Sequence, residues 1–198
     1  MATIAPLPKE RIGAPLRAVV TGSDSGIGRA IAVALAGGGV DVGITYHADE
    51  QGAARTAELV TERGARPAVR HLDLDDLPTS TAVIDEFAAE LGGLDVLVNC
   101  AGTGSATLAM EMDFDTWRHV LSVDLDGAFL CSQRAAAHMI EAGRGGRIIN
   151  ITSVHEHAPK VGAAPDFSAP GGLGARTKVL ELGLGEYDHT DNYVAPGE

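Results

Sequence analysis

A chain of 198 residues with 45% hydrophobic and only 4% aromatic content has room for one domain, whose core must be packed from Ala, Val, Leu and Ile. A net charge of −12 excludes a polyanion-binding role, because nucleic acid and anionic membrane surfaces would repel it, and no apolar run approaches membrane-spanning length. The two cysteines, Cys100 and Cys131, fit neither a metal-ligand pattern nor a disulfide framework, so they read as buried thiols of a cytoplasmic protein that uses no metal.

In chain order, residues 1–15 (MATIAPLPKERIGAP) read as a loose leader without an apolar signal core. Strand-like runs follow at LRAVVTG from Leu16, VDVGITY from Val40, RPAVRHLDL from Arg66, LDVLVN from Leu94 and GRIINITS from Gly146. Helical periodicity separates them: Ala53, Ala54, Ala57 and Val60 share one face, as do Ile84, Phe87, Ala88 and Leu91. A longer helix is predicted from about Asp124 through Ala136 to Ile140, stopped by Gly143. Alternating β and α units with right-handed crossovers predict an α/β fold: a Rossmann-type, doubly wound parallel sheet in three αβα layers. With no linker or repeat, residues 1–198 are expected to form a single dinucleotide-binding domain.

The segment Thr21-Gly22-Ser23-Asp24-Ser25-Gly26-Ile27-Gly28 leaves the first strand and opens a helix, RAIAVALAGGG. Glycines there let the backbone turn sharply and approach a pyrophosphate, which the amides and positive dipole end of the helix attract. The spacing TGxxxGxG resembles that of the short-chain dehydrogenase/reductases, and further matches follow in order. Asp73-Leu74 stands where that family sets an acid against adenine, and Asn99-Cys100-Ala101-Gly102 resembles its NNAG. Ile149-Asn150-Ile151-Thr152-Ser153 resembles the segment carrying its active-site serine, and Asn192, Val194, Pro196 and Gly197 match NxVxPG, which closes over the nicotinamide. The resemblance runs from about Leu16 to the last residue and is nearest the bacterial glucose-dehydrogenase and ketoacyl-reductase-like branch. It implies cofactor contacts from Gly22, Ser23, Ser25, Gly26, Ile27, Gly28, Tyr46, His47, Asp73, Leu74, Asn99, Ala101, Gly102, Pro196 and Gly197. It also implies a small-molecule carbonyl or alcohol substrate, and a homotetramer or dimer built on two long helices. The family continues beyond its PG motif with a helix pair and a further strand, whereas this chain stops at Glu198, so that last strand is expected to be missing.

The residue ending the second strand discriminates the cofactors, since an acid there binds the ribose 2′-hydroxyl and repels a 2′-phosphate. Here the strand ends Thr45-Tyr46-His47 without an acid, and His47 offers a donor, so NADP is preferred over NAD. A solvated loop histidine is an equal reading of His47, and Asp49 and Glu50 would oppose a phosphate if they pointed inward.

The resemblance implies a tyrosine proton donor, a lysine four residues later, a serine and a helix asparagine. Ser153 is present and Asp124 stands for the asparagine, but the tyrosine position holds Asp166 and the lysine position Pro170. A shift by one residue gives Phe167 and Gly171, no better. An exposed Asp titrates near pH ~4 and is ionised where a neutral donor is needed. A helix-interior proline costs about 3 kcal/mol or more, so the helix fits better starting later, with Ser168 as its cap. Tyr187 and Tyr193 have no Lys four residues on and are read as structural. His189 and Asp191 burden a last strand that should be buried. These departures cluster after about Lys160. They fit a non-catalytic relative, an altered or shortened form of an active enzyme, or an error in the last third of the sequence. Core and catalytic positions depart alike, which favours the last two. The expected activity is NAD(P)(H)-dependent hydride transfer between nicotinamide and a carbonyl/alcohol pair, with Ser153, Asp166 and Asp124 at the catalytic positions. The alternatives are a dinucleotide-binding protein without catalysis, such as a redox sensor, or a structural subunit that binds nothing.

Overall fold

The structure is a computed structural model that describes residues 15–154 and 189–196 throughout, and between them positions 165, 168, 169, 171–173, 175, 177 and 179. Six strands, β1 (Arg17–Val20), β2 (Asp41–Tyr46), β3 (Pro67–His71), β4 (Val96–Asn99), β5 (Gly146–Ile151) and β6 (His189–Val194), form one sheet in the order β3-β2-β1-β4-β5-β6. Every pairing is parallel. The order reverses direction between β1 and β4, where a doubly wound sheet opens its crevice.

Strand alternation builds the two outer layers. Ala18, Val20, Val42, Ile44, Val96 and Val98 pack against Ala32 and Ala36 of α1 (Gly26–Gly37) and Ala53 and Val60 of α2 (Glu50–Glu62). Val19, Leu97 and Ile148 face the other way, onto Ile84, Phe87 and Leu91 of α3 (Val83–Leu91). The predicted reliance on small and aliphatic side chains is therefore how the three layers close, with Phe87 the largest fully buried side chain among the described residues.

The long helix begins earlier than its periodicity indicates. α4 (Phe114–Leu121) runs through a π-helical segment, Ser122–Gly127, into α5 (Ala128–Ala142), so the helical run starts at Phe114 rather than near Asp124. Its true start carries a capping signal, the Asp113 carboxylate accepting from Thr116 N–H at 2.7 Å. Gly143, in the left-handed region, ends it as predicted. β3 stops at His71, so Asp73-Leu74 follows the strand instead of ending it. Backbone is already helical at Pro165, so Ser168 lies within helical positions rather than at their cap. In this stretch Ala169, Leu173 and Thr177 form the buried face. β6 accommodates its polar residues: His189 and Asp191 are buried, and Asp191 Oδ1 accepts from Asn150 Nδ2 at 2.8 Å.

At the sheet end opposite the crevice, Arg17 Nε donates to Asp95 Oδ2 at 2.9 Å, and the Arg17 backbone N–H donates to the same oxygen at 3.0 Å. Both side chains are buried, and the Arg17 guanidinium also bonds the Gly92 carbonyl. Removing one partner strands the other charge, so Asp95→Ala is expected to lower unfolding free energy by about 3–5 kcal/mol. Denaturant titration checks this; a loss below about 1 kcal/mol would show the pair to be dispensable.

Candidate functional site

A cleft of about 890 Å³ opens where the chain leaves β1, β2, β4 and β5. Its floor is the glycine turn. Gly22 has φ +60° and Gly26 +51°. A Cβ on Gly22 would lie 2.7 Å from Ala101 Cα, and one on Gly28 would collide with the Gly22 carbonyl oxygen. The helix start and the turn thus pack backbone on backbone. Ser25 occupies the N-cap of α1 in extended conformation, and its side chain caps none of the first-turn amides.

Neighbouring side chains hold this floor. Thr21 Oγ1 accepts from Cys100 N–H (2.9 Å) and Ala101 N–H (3.0 Å), joining the β1 and β4 exits. Thr45 Oγ1 accepts from Gly22 N–H at 2.9 Å. Ser23 is fully buried and its hydroxyl donates to Val20 O at 2.7 Å, so its side chain serves the turn and does not reach the cleft. Sequence reasoning missed Thr21 and Thr45 as supports; the place of Thr21 at a strand end beside Gly22 is a signal that could have found it, whereas Thr45 acquires its role only through the pairing of β1 with β2.

Of the residues expected at the cofactor, Gly22, Ser25, Gly26, Ile27, Gly28, His47, Asp73, Leu74, Asn99, Ala101 and Gly102 line the cleft together. Tyr46 lies outside that lining, edge-on to His71 with ring centroids 5.5 Å apart. His47 Nε2 stands 3.8 Å from Asp73 Oδ1. The Asp49 carboxylate turns back to cap α2, accepting from Gly52 N–H at 2.8 Å. Pro196 sits beside the β5 exit, its carbonyl accepting from Val154 N–H at 3.2 Å. Gly197 lies outside the described residues, as do Asp166, Pro170 and Tyr187.

Ser153 stands two residues beyond the end of β5 and shares the cleft lining with Thr152 and Asp124. Asp124 belongs to the π-helical segment and its Oδ1 accepts from Thr103 N–H at 2.8 Å, which ties the helix to the loop after β4. Such π segments carry an extra residue per turn and often mark functional positions. Nearby, His119 Nδ1 pairs with Asp75 Oδ1 at 2.8 Å, and Ser122 Oγ donates to Leu74 O at 2.9 Å. Neither contact was expected, because the helical run before Asp124 was not. Beneath the cleft, Asn99 Nδ2 donates to Asn150 Oδ1 at 2.8 Å, and Asn150 Nδ2 donates to Thr177 Oγ1 at 3.0 Å and Asp191. Asn99 Oδ1 is buried with no hydrogen-bond partner among the described residues.

The thiol of Cys100, another lining residue, is pushed up to about 11 by burial. It stays neutral through physiological pH, and only the thiolate is nucleophilic. Its alkylation by iodoacetamide is therefore expected to run roughly 100-fold slower than that of an exposed thiol at neutral pH, and to accelerate as pH rises towards about 11. Peptide mass spectrometry after timed labelling checks this; fast labelling at neutral pH would contradict it.

The short chain dehydrogenase family model matches residues 17–198. An uncharacterized oxidoreductase of Escherichia coli K12, YohF, is 48% identical over 180 residues, spanning 91% of this chain and 71% of that protein. Glucose 1-dehydrogenase 2 of Bacillus subtilis is 32% identical across 91% of this chain and 70% of its own length. Among solved structures, acetoin dehydrogenase YohF of Salmonella typhimurium superposes with a TM-score of 0.90 at 49% identity, covering 92% of this chain and 72% of that one. The acetoin dehydrogenase of Enterobacter cloacae does so at 0.91 and 48%, covering 93% and 73%. With ordered motifs, crossover cleft and matching relatives in agreement, the chain belongs to the short-chain dehydrogenase/reductase family of NAD(P)-dependent oxidoreductases.

Proposed function

We propose that this chain binds NAD(P)(H) along the crossover cleft and carries out hydride transfer between the nicotinamide and a small carbonyl/alcohol pair. The observation that carries the reading is the backbone contact of Gly28 on the Gly22 carbonyl, which any side chain would block and which brings the first turn of α1 against the strand ends at the cleft. A pyrophosphate fits there against the first-turn amides of α1. Asp73 and Leu74 would flank the adenine, Ala101 and Gly102 the inner ribose, and Pro196 with Gly197 the nicotinamide end. The bound nicotinamide supplies or accepts the hydride. Ser153 would hydrogen-bond the substrate oxygen, and Asp124, fixed by the Thr103 amide, would orient the loop that carries Gly102.

Two relatives near half identity are acetoin dehydrogenases, which supports a vicinal hydroxyketone or diketone as the substrate class. The acid-free end of β2 supports NADP(H), with His47 donating to the 2′-phosphate, while Asp49, which also lines the cleft, has one carboxylate oxygen engaged by its capping bond. Exposed Phe114, Phe129 and Ile140 on the α4–α5 run support a dimer or tetramer assembled there. Cys100 and Cys131, neither in a disulfide, support a cytoplasmic setting, and all of residues 1–198 are assigned to the one domain.

One observation favours a second reading, binding without chemistry. Asp166 and Pro170 stand where the family holds its tyrosine and lysine, so a carboxyl group takes the place of the phenol that would donate the proton. General acid catalysis contributes about 10²–10⁴-fold. The double variant Asp166→Tyr/Pro170→Lys is therefore expected to reduce diacetyl at least ~100-fold faster than the parent chain, while NADPH affinity changes little. Parent turnover equal to that of the double variant would refute the role given to these positions. Failure of NADPH and NADH to quench fluorescence or shift the melting temperature of the folded parent would refute the cofactor site. His47→Ala is expected to weaken NADPH binding about 5–20-fold more than NADH binding, a phosphate contact being charge-assisted. Equal losses in calorimetric titration would remove the NADP(H) preference.

A further inference from the structure

We propose that Arg29 is a positioning residue that sets the direction of the phosphate-facing amides, by pinning the glycine turn to the start of α2 from behind. The proposal rests on the cofactor reading above and adds a residue to it. Arg29 lies in the first turn of α1, half-buried and outside the cleft lining. A cation there opposes the helix dipole, so its position needs a compensating role. Its guanidinium supplies one. Nε donates to Thr56 Oγ1 at 3.0 Å, and Nη2 bonds both the Asp24 carbonyl and the Gly52 carbonyl, the latter at 3.2 Å. Thr56 is fully buried, and its hydroxyl donates to the Ser23 carbonyl at 2.8 Å.

Two consecutive turn carbonyls, Ser23 and Asp24, are thus held on the α2 side. A trans peptide directs its N–H opposite to its C=O. The Asp24 and Ser25 amides are then turned to the other side, where both residues line the cleft. The same guanidinium reaches Gly52, the residue whose amide the Asp49 cap holds, so the turn under the phosphates and the loop that carries His47 and Asp49 are braced as one unit. The planar fork is what allows one side chain to serve Thr56, Asp24 and Gly52 together; a lysine has one nitrogen to offer.

The test compares nucleotide binding by the parent, Arg29→Met, Arg29→Lys and Thr56→Val, using NADH and, as a phosphate-free probe, adenosine, by calorimetry and ligand-observed NMR. Arg29→Met is expected to weaken NADH about 10-fold or more and adenosine by less than about 2-fold, and Arg29→Lys to recover no more than part of the NADH loss. Thr56→Val is expected to cost about 3-fold or more for NADH alone, and it carries the test if Arg29→Met does not fold. If the parent binds NADH and the folded variants bind it equally well, the positioning role is overturned while the cofactor site stands. Equal losses for adenosine and NADH would reduce the role to general stability, and full rescue by Arg29→Lys would reduce it to charge; either overturns it. A parent that binds no NADH removes both the cofactor site and this inference.

Discussion

The structure turns on one backbone contact, the absence of a Cβ at Gly28 that lets the start of α1 rest on the Gly22 carbonyl. Were the helix held further off, its first-turn amides would leave the strand ends and the cleft would lose its floor. The contact also places Gly22 against Ala101, so that the turns after β1 and β4 touch across the point where the sheet order reverses. Thr21, Thr45, Ser23 and Thr56 then serve as hydrogen-bonding struts around a segment made mostly of backbone. Short hydroxyl side chains suit this work because they satisfy turn amides and carbonyls without filling the space a ligand needs.

A second constraint runs beneath the cleft. Ser132, Asn99, Asn150, Thr177 and Asp191 form a buried polar chain that links α5, β4, β5, the helical position Thr177 and β6. Buried polar groups are costly unless bonded, so such a chain favours one register of these elements over slipped alternatives. Asp191, an apparent fault in a buried strand, is one of its members. The chain ends beside the segment that leads to Ser153, three residues beyond Asn150, and so joins the sheet's interior to the candidate chemistry.

The two ends of the cleft differ in how complete they are. At the glycine-turn end Gly22, Ser25, Gly26, Ile27 and Gly28 line the cleft together, whereas Ser23 works behind the turn and Tyr46 packs on His71. At the reacting end Ser153 and Asp124 share the lining, but the sequence sets a carboxylate and a proline where a phenol and an amine are expected. Membership of an oxidoreductase family and possession of a strong proton donor are therefore separate properties, because the first rests on motifs spread along the chain and the second on two side chains.

What the sequence alone determined was periodic or local. Strand and helix alternation, small-residue packing and the TGxxxGxG turn are written in consecutive residues, and the parallel three-layer sheet follows from them by chain chirality. The family's ordered motifs also located most of the cleft lining. Tertiary structure decided the rest. The helix from Phe114 was hidden because α4 is short and mostly exposed, with Val120 its one buried residue, so its apolar period is weak. The π-helical segment is a matter of packing, Gly127 lying against Leu74, and no propensity announces it. The bonds of Arg29 to Gly52 and Thr56, and of Asn150 to Asp191, span tens of residues. Side chains so far apart in sequence acquire partners only once the sheet has brought their elements together, and that is why these contacts could not be read from the chain.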